Sequence, residues 1–206
     1  MSELPDADHR KLRSEVKPRY GTALTDLQLM SSRDASNFHR WNDSFLRPGP
    51  ERPGAWNYGH LYTACGLVQT RAGIDGMPDE ISIYGTEGGW TECNLRRYTI
   101  RMDGFASINA RGEGGEYRTR PVVFEGNELF LNLSTSVVGW IKVVISDLDG
   151  KAIEGFGIND ADPIFGDSIQ RKVSWKGETD LGQLKGKPVR LRFVLREADL
   201  FSFQFR

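Results

Sequence analysis

With 206 residues the chain is long enough for one large domain or two small ones with a real core, which excludes disorder as the default. Hydrophobic residues make up 38% and aromatics 11%, and 23 glycines with 9 prolines favour many turns over long helices. Lys and Arg total 27 against 28 Asp and Glu; the net charge of -1 gives no electrostatic basis for a nucleic acid or an anionic membrane as partner.

Residues 1–21 carry no apolar periodicity beyond Leu4, Leu12 and Val16, and Pro18 would stop a short helix, so they read as a tail or linker. The segment is charged throughout, unlike a secretory signal or membrane anchor, and no stretch of the chain approaches the ~20 apolar residues of a membrane helix. As written, the chain is expected in the cytoplasm; as a piece of a longer secreted protein it would be exported. From Thr22 the pattern changes: LTDLQLMSS alternates apolar and polar residues, a turn follows over Asp34 to Asn37, and FHRW resumes in extended style, which predicts a hairpin. Between Ser32 and Ser36, Asp34 is suited to cap that turn by accepting backbone N–H groups. The prolines and glycines of RPGPERPG (47–54) predict an irregular loop.

WNYGHLYTACGLVQT (56–70) is apolar and aromatic on both faces and predicts one largely buried strand. EISIYGTEG and LRRYTIRM supply two more, completing an antiparallel meander. Cys65 and Cys93 have neither CxxC nor Cys/His spacing, so they are expected as buried or half-buried free thiols. From residue 104 the strands become denser: SINAR, YRTRPVVFEG, NELFLNLS, GWIKVVISDLDG, SIQRKVSWKG and PVRLRFVLREADLFSFQF. Ile141, Val143 and Ile145 are expected on one face, as are Leu191, Phe193 and Leu195, with Arg190, Arg192 and Arg196 facing solvent. Together these strands predict a two-sheet sandwich or jelly roll, and an all-β protein as a whole.

The segments LMSSRDASNFHRWNDSFLRPGPE, GAWNYGHLYTACGLVQT, ISIYGTEGGWTECNLRRYTIRMDGFAS and GKPVRLRFVLREADLFSFQF carry a resemblance. Over residues 22–206 the chain resembles the C-terminal part of bacterial glycoside-hydrolase-like proteins, which have an invertase- or levanase-type five-bladed β-propeller followed by a β-sandwich. One departure is that the resembled turn usually carries Gly where Ala35 or Ser36 stands. The resemblance implies partial propeller blades over 22–103 and a β-sandwich over 104–206. It also implies a carbohydrate-associated protein that lacks the front of the propeller, where the nucleophile of such enzymes lies. The chain alone is therefore expected to be inactive, or a glycosidase if active; a binding or docking module without hydrolase origin, or a structural remnant with no ligand, are the alternatives.

Glycoside hydrolysis needs two carboxyl groups across a sugar ring. Glu87, beside glycines and Trp90, is the catalytic candidate; its alternative is an ion pair with Arg96 or Arg97 in a solvated rim. The Glu92-Cys93 pair is similar to the Glu-Cys pair at the acid/base of invertase-type enzymes. Trp56, Tyr58, His60 and Tyr62 alternate and so share one face; with Trp90 they form a candidate platform for an oligo- or polysaccharide, or else pack in a core. Asp147, Asp149, Asp160, Asp162 and Asp167 are either a structural calcium site or turn residues, and no other cofactor is expected. Exposed blade edges would also permit self-association. There is no phosphate-binding glycine loop, nucleophile elbow or HExxH helix.

Overall fold

The computed structural model describes residues 25–50, 60–88 and 93–206. Among these the protein is all-β: eleven strands, no α-helix, and one turn of 3-10 helix at Gly182–Leu184. The chain divides into two compact units, one built from residues up to Asp75 with Asp79–Thr99, the other from Gly76–Pro78 with Ile100–Arg206.

In the first unit, β1 (Leu27–Ser32) and β2 (Phe38–Leu46) pair antiparallel as a two-stranded sheet. Asp34 makes their turn: its Oδ1 accepts the N–H groups of Ser36 and Asn37 at 2.9 and 2.7 Å. Those bonds, with the Asn37 side chain and Ser32 hydroxyl, hold its carboxyl well below the usual range. Ala35 takes a left-handed φ of 57°, a conformation that favours glycine.

The second sheet of this unit has β5 (Glu80–Glu87) at its centre. β6 (Asn94–Arg101) lies on one side; β3 (Leu61–Thr63) and β4 (Val68–Thr70) share the other. The expectation of one buried strand across 56–70 is corrected for its described part. The segment leaves the sheet after Ala64, turns through Gly66 at φ 102° and returns, and apart from His60, Leu61 and Thr70 the described residues are exposed. Cys65 lies in that excursion, and both it and Cys93 are exposed and free, not buried.

The unit from Ile100 onward is built on β9 (Leu129–Ser146) and β11 (Arg190–Phe205), paired antiparallel along their whole length. β10 (Asp167–Lys172) adds to the outer edge of β9, and β7 (Ile108–Ala110) and β8 (Gly115–Arg118) add end to end along the free edge of β11. NELFLNLS and GWIKVVIS are thus one strand rather than two, and the described strands of this unit join into a single sheet.

A crease lets that sheet enclose a core. Arg196 opposes Trp140 and Ala198 opposes Thr135, so β9 spends Ser136–Gly139 where β11 spends only Glu197. The β7–β8 turn arrives at the same level, where the Arg111 carbonyl accepts the Glu197 N–H at 3.2 Å. Glu197 is left-handed (φ 42°), and Gly139 passes so close that a Cβ there would enter the Glu197 carbonyl oxygen. Such bulges bend strands sharply and are how one strand serves two faces of a core.

Leu129, Leu131, Leu133, Ile141, Val143 and Ile145 of β9 and Leu191, Phe193 and Leu195 of β11 all face the core. The segment 150–189 closes it with Phe156, Ile164, Val173, Trp175, Leu181 and Leu184. This segment also satisfies the free edge of β9. Ile141 exchanges backbone bonds with Ile164, the Trp175 indole N–H donates to the Val143 carbonyl at 2.7 Å, and Ile145 pairs with Ile153 and Phe156. At the unit's start, Arg101 donates to Asn132 Oδ1 at 2.7 Å and pairs with Asp167 at 2.7 Å, while Asn132 donates to the Met102 carbonyl.

Candidate functional site

Glu87 ends β5 opposite Leu61, and only 4% of it is exposed. A buried carboxylate needs donors, and two come from alternate positions on β6. The Tyr98 hydroxyl donates to Glu87 Oε1 at 2.6 Å, and Arg96 meets the same oxygen at 2.9 Å. Gly85 makes this possible: a Cβ there would stand 3.4 Å from the Tyr98 ring and 3.1 Å from the Tyr62 carbonyl oxygen. Burial, the hydrogen bond to Glu87 and that carboxylate's charge together push the Tyr98 phenol up to about 12, so it stays a donor at neutral pH.

Of the two arginines offered as partners by the sequence, Arg96 takes Glu87 and Arg97 takes Glu80, reaching also Ser82 and Thr70. The Glu87 ion pair is buried on the carboxylate side, while the Arg96 side chain is 53% exposed. Tyr98 went unnoticed in the sequence, although its two-residue spacing from Arg96 already placed both on one face of a strand.

His60 is wholly buried just before β3. Its Nδ1 and its own carbonyl oxygen share the Gly88 N–H, each at 3.2 Å, and its Nε2 is a buried atom with no hydrogen-bond partner among the described residues. Tyr62, two residues on, is 50% exposed and lies opposite Thr86. Of the expected aromatic platform, His60 is therefore enclosed and Tyr62 is open to solvent. Trp56, Tyr58, Trp90 and Glu92 lie outside the described residues.

Chemically, Glu87 is a hydrogen-bond acceptor held in place by a phenol and a guanidinium. Glu80, the other carboxylate of β5, is seven residues away, roughly 23 Å along an extended strand. Glycosidase carboxyl pairs stand about 5–9.5 Å apart.

The aspartates weighed as calcium ligands engage nearby donors. Asp147 accepts the N–H groups of Asp149 and Lys151; Asp162 accepts the Ser174 hydroxyl and Gly177 N–H; Asp160 meets Lys176; Asp167 meets Arg101. Among the described residues no three His, Cys, Asp or Glu side chains gather as metal ligands. No described helix is long and apolar enough to cross a membrane. No family model matches the chain, nor does any curated protein or solved structure.

Proposed function

We propose that this chain is a carbohydrate-associated protein, the non-catalytic C-terminal portion of a glycoside-hydrolase-like protein. The sugar association rests on the sequence resemblance, and the all-β architecture is compatible with it. In this reading the antiparallel sheet around β5, where β3 and β4 share one side, is what remains of a propeller blade. The creased sheet stands in this reading for the sandwich or jelly roll, since β9 and β11 give residues to the core on both sides of the bulge.

The observation that carries the non-catalytic part is the environment of Glu87. Tyr98 and Arg96 hold its buried carboxylate as a hydrogen-bond acceptor. The exposed Tyr62 ring, with Trp56, Tyr58 and Trp90, would contact the sugar.

Native affinity electrophoresis in gels cast with plant and bacterial polysaccharides tests this. Retention on at least one polymer, weakened by Tyr62→Ala and Trp90→Ala, is the expected result, together with no release from aryl glycosides. Mobility unchanged in every gel relative to an inert β-sandwich overturns the sugar association. Hydrolysis abolished by Glu87→Gln overturns the non-catalytic assignment.

The β1–β2 hairpin favours a second mode, self-association. Met30, Phe38 and Trp41 are exposed on a two-stranded sheet, an arrangement only marginally stable in water. A second copy could pair its backbone with the hairpin's edge and pack against these side chains.

A further inference from the structure

The outer face of the creased sheet, away from the core, holds a cleft of about 330 Å³. β8, β9 and β11 form its floor, and the turn after β9, at Asp147–Lys151, forms a wall. Leu148 and Ala152 give it an apolar surface, while Arg118, Arg190, Arg192 and Asp149 supply the charged groups.

The arginines are placed against their own electrostatics. Arg192 stands directly opposite Arg118 across the β8–β11 ladder, and like charges in that position destabilise a sheet. Glu116 reaches both, at 3.2 and 3.4 Å, and offsets part of the repulsion. Arg190 is different. It is half-buried, its guanidinium donates at 3.3 Å to the carbonyl oxygens of Leu148 and Thr119, and among the described residues no carboxylate pairs with it. A guanidinium has five N–H donors in a fork that matches an oxyanion in bidentate fashion, and these two carbonyls use only part of it.

We propose that this cleft binds an acidic saccharide, with Arg190 as the main contact to its carboxylate or sulfate group and Arg118 and Arg192 completing the anion site. Asp149 at the rim accepts sugar hydroxyls, and the exposed Leu148 and Ala152 side chains cover the apolar face of a pyranose. A bare inorganic anion would leave both unused. The identity of the ligand as a sugar rests on the function proposed above; the anion site rests on the arginines.

The test is calorimetric titration of the full chain at low salt with trigalacturonic acid, its fully methyl-esterified form, a chondroitin sulfate tetrasaccharide and sodium sulfate. At least one acidic saccharide should bind, at least tenfold more tightly than the uncharged ester, and more weakly as salt rises. Arg190→Gln should weaken it at least tenfold. Arg118→Gln, on a side chain 63% exposed, should weaken it severalfold with an unchanged unfolding midpoint, which keeps the test valid if Arg190→Gln fails to fold. Equal binding of acid and ester, or acid binding indifferent to both variants, overturns the cleft and leaves the carbohydrate association standing. Neutral polymers retained while both acidic saccharides fail does the same. Sulfate bound through Arg190 with no saccharide bound at all overturns the acidic-saccharide site and the carbohydrate association together.

Discussion

The two units are buried by different means. In the first, the buried side chains among the described residues are Leu61 and Ile83 beside the polar His60, Ser82 and Glu87. In the second, twenty-one apolar residues form one cluster, and only Thr119, Asn132 and Ser146 are polar among the buried. Apolar burial is non-directional and stabilises in proportion to area, about 25 cal/mol per Å². Polar burial demands partners with correct geometry and yields little net free energy once they are found. The second unit is therefore expected to carry most of the stability, while the first is specified by contacts such as Tyr98 to Glu87 that fix its shape.

The sharpest way to break that contrast is to open each interior. Phe193→Ala removes a fully buried ring from the centre of the second unit and should cost about 3–5 kcal/mol in denaturant unfolding. Ile83→Ala, in the sparse interior of the first, should cost about 2 kcal/mol, near the low end for such truncations. Equal costs would remove the distinction.

The crease is the next largest effect. Gly139→Ala forces a methyl group into the Glu197 carbonyl and should destabilise by about 1–3 kcal/mol, whereas Gly150→Ala, on an open turn, should cost less because only its φ of 86° is strained.

In the first unit the expected response is spectroscopic. Glu87→Gln removes the acceptor charge but not the burial, so the Tyr98 phenol should titrate below about 12 yet above the ordinary tyrosine value of 10.0. Ultraviolet titration against Tyr98→Phe reads it, and an unmoved titration would show that Glu87 does not govern the pair.

The smallest effect is on pH. The Ser174 hydroxyl and the Gly177 N–H hold the Asp162 carboxyl below its ordinary 3.8, and the Lys176 ammonium and Gly157 N–H do the same for Asp160. A depressed carboxyl contributes stability that is present above the unfolded-state value and lost as pH falls through the folded-state one. The second unit should therefore lose a little stability below about pH 4, and Asp162→Asn should shallow that slope; a slope identical to wild type would contradict it.

Much of the second unit was legible in sequence because alternation is its rule. Leu191, Phe193 and Leu195 face the core as expected, as do Ile141, Val143 and Ile145. The bulges were less visible, yet they left a trace. Along β11 the core residues run Leu195 to Ala198 and Leu200 to Phe203, spacings of three where a flat strand gives two, and both coincide with a register shift. NELFLNLS and GWIKVVISDLDG read as two strands because nothing local between them says that the chain re-enters the same sheet. The segment WNYGHLYTACGLVQT misled for the opposite reason: its apolar content suggested burial, but its described residues form two short edge strands beside β5 with one side open. The ion pair of Glu87 could be foreseen from composition, while Tyr98 required the register of β6 on β5. The arginine cleft draws on two strands and a turn far apart in sequence, and its residues read only as a solvent-facing row.

The most direct test of the contrast between the units is hydrogen–deuterium exchange of the full chain followed by mass spectrometry. Amides of β9 and β11 should exchange last, at rates set by global unfolding, while those of β3, β4 and β6 exchange through smaller openings well before them. Equal protection across the two units, or protection greater around β5 than along β9 and β11, would contradict the division between an apolar core that stabilises and a polar interior that specifies.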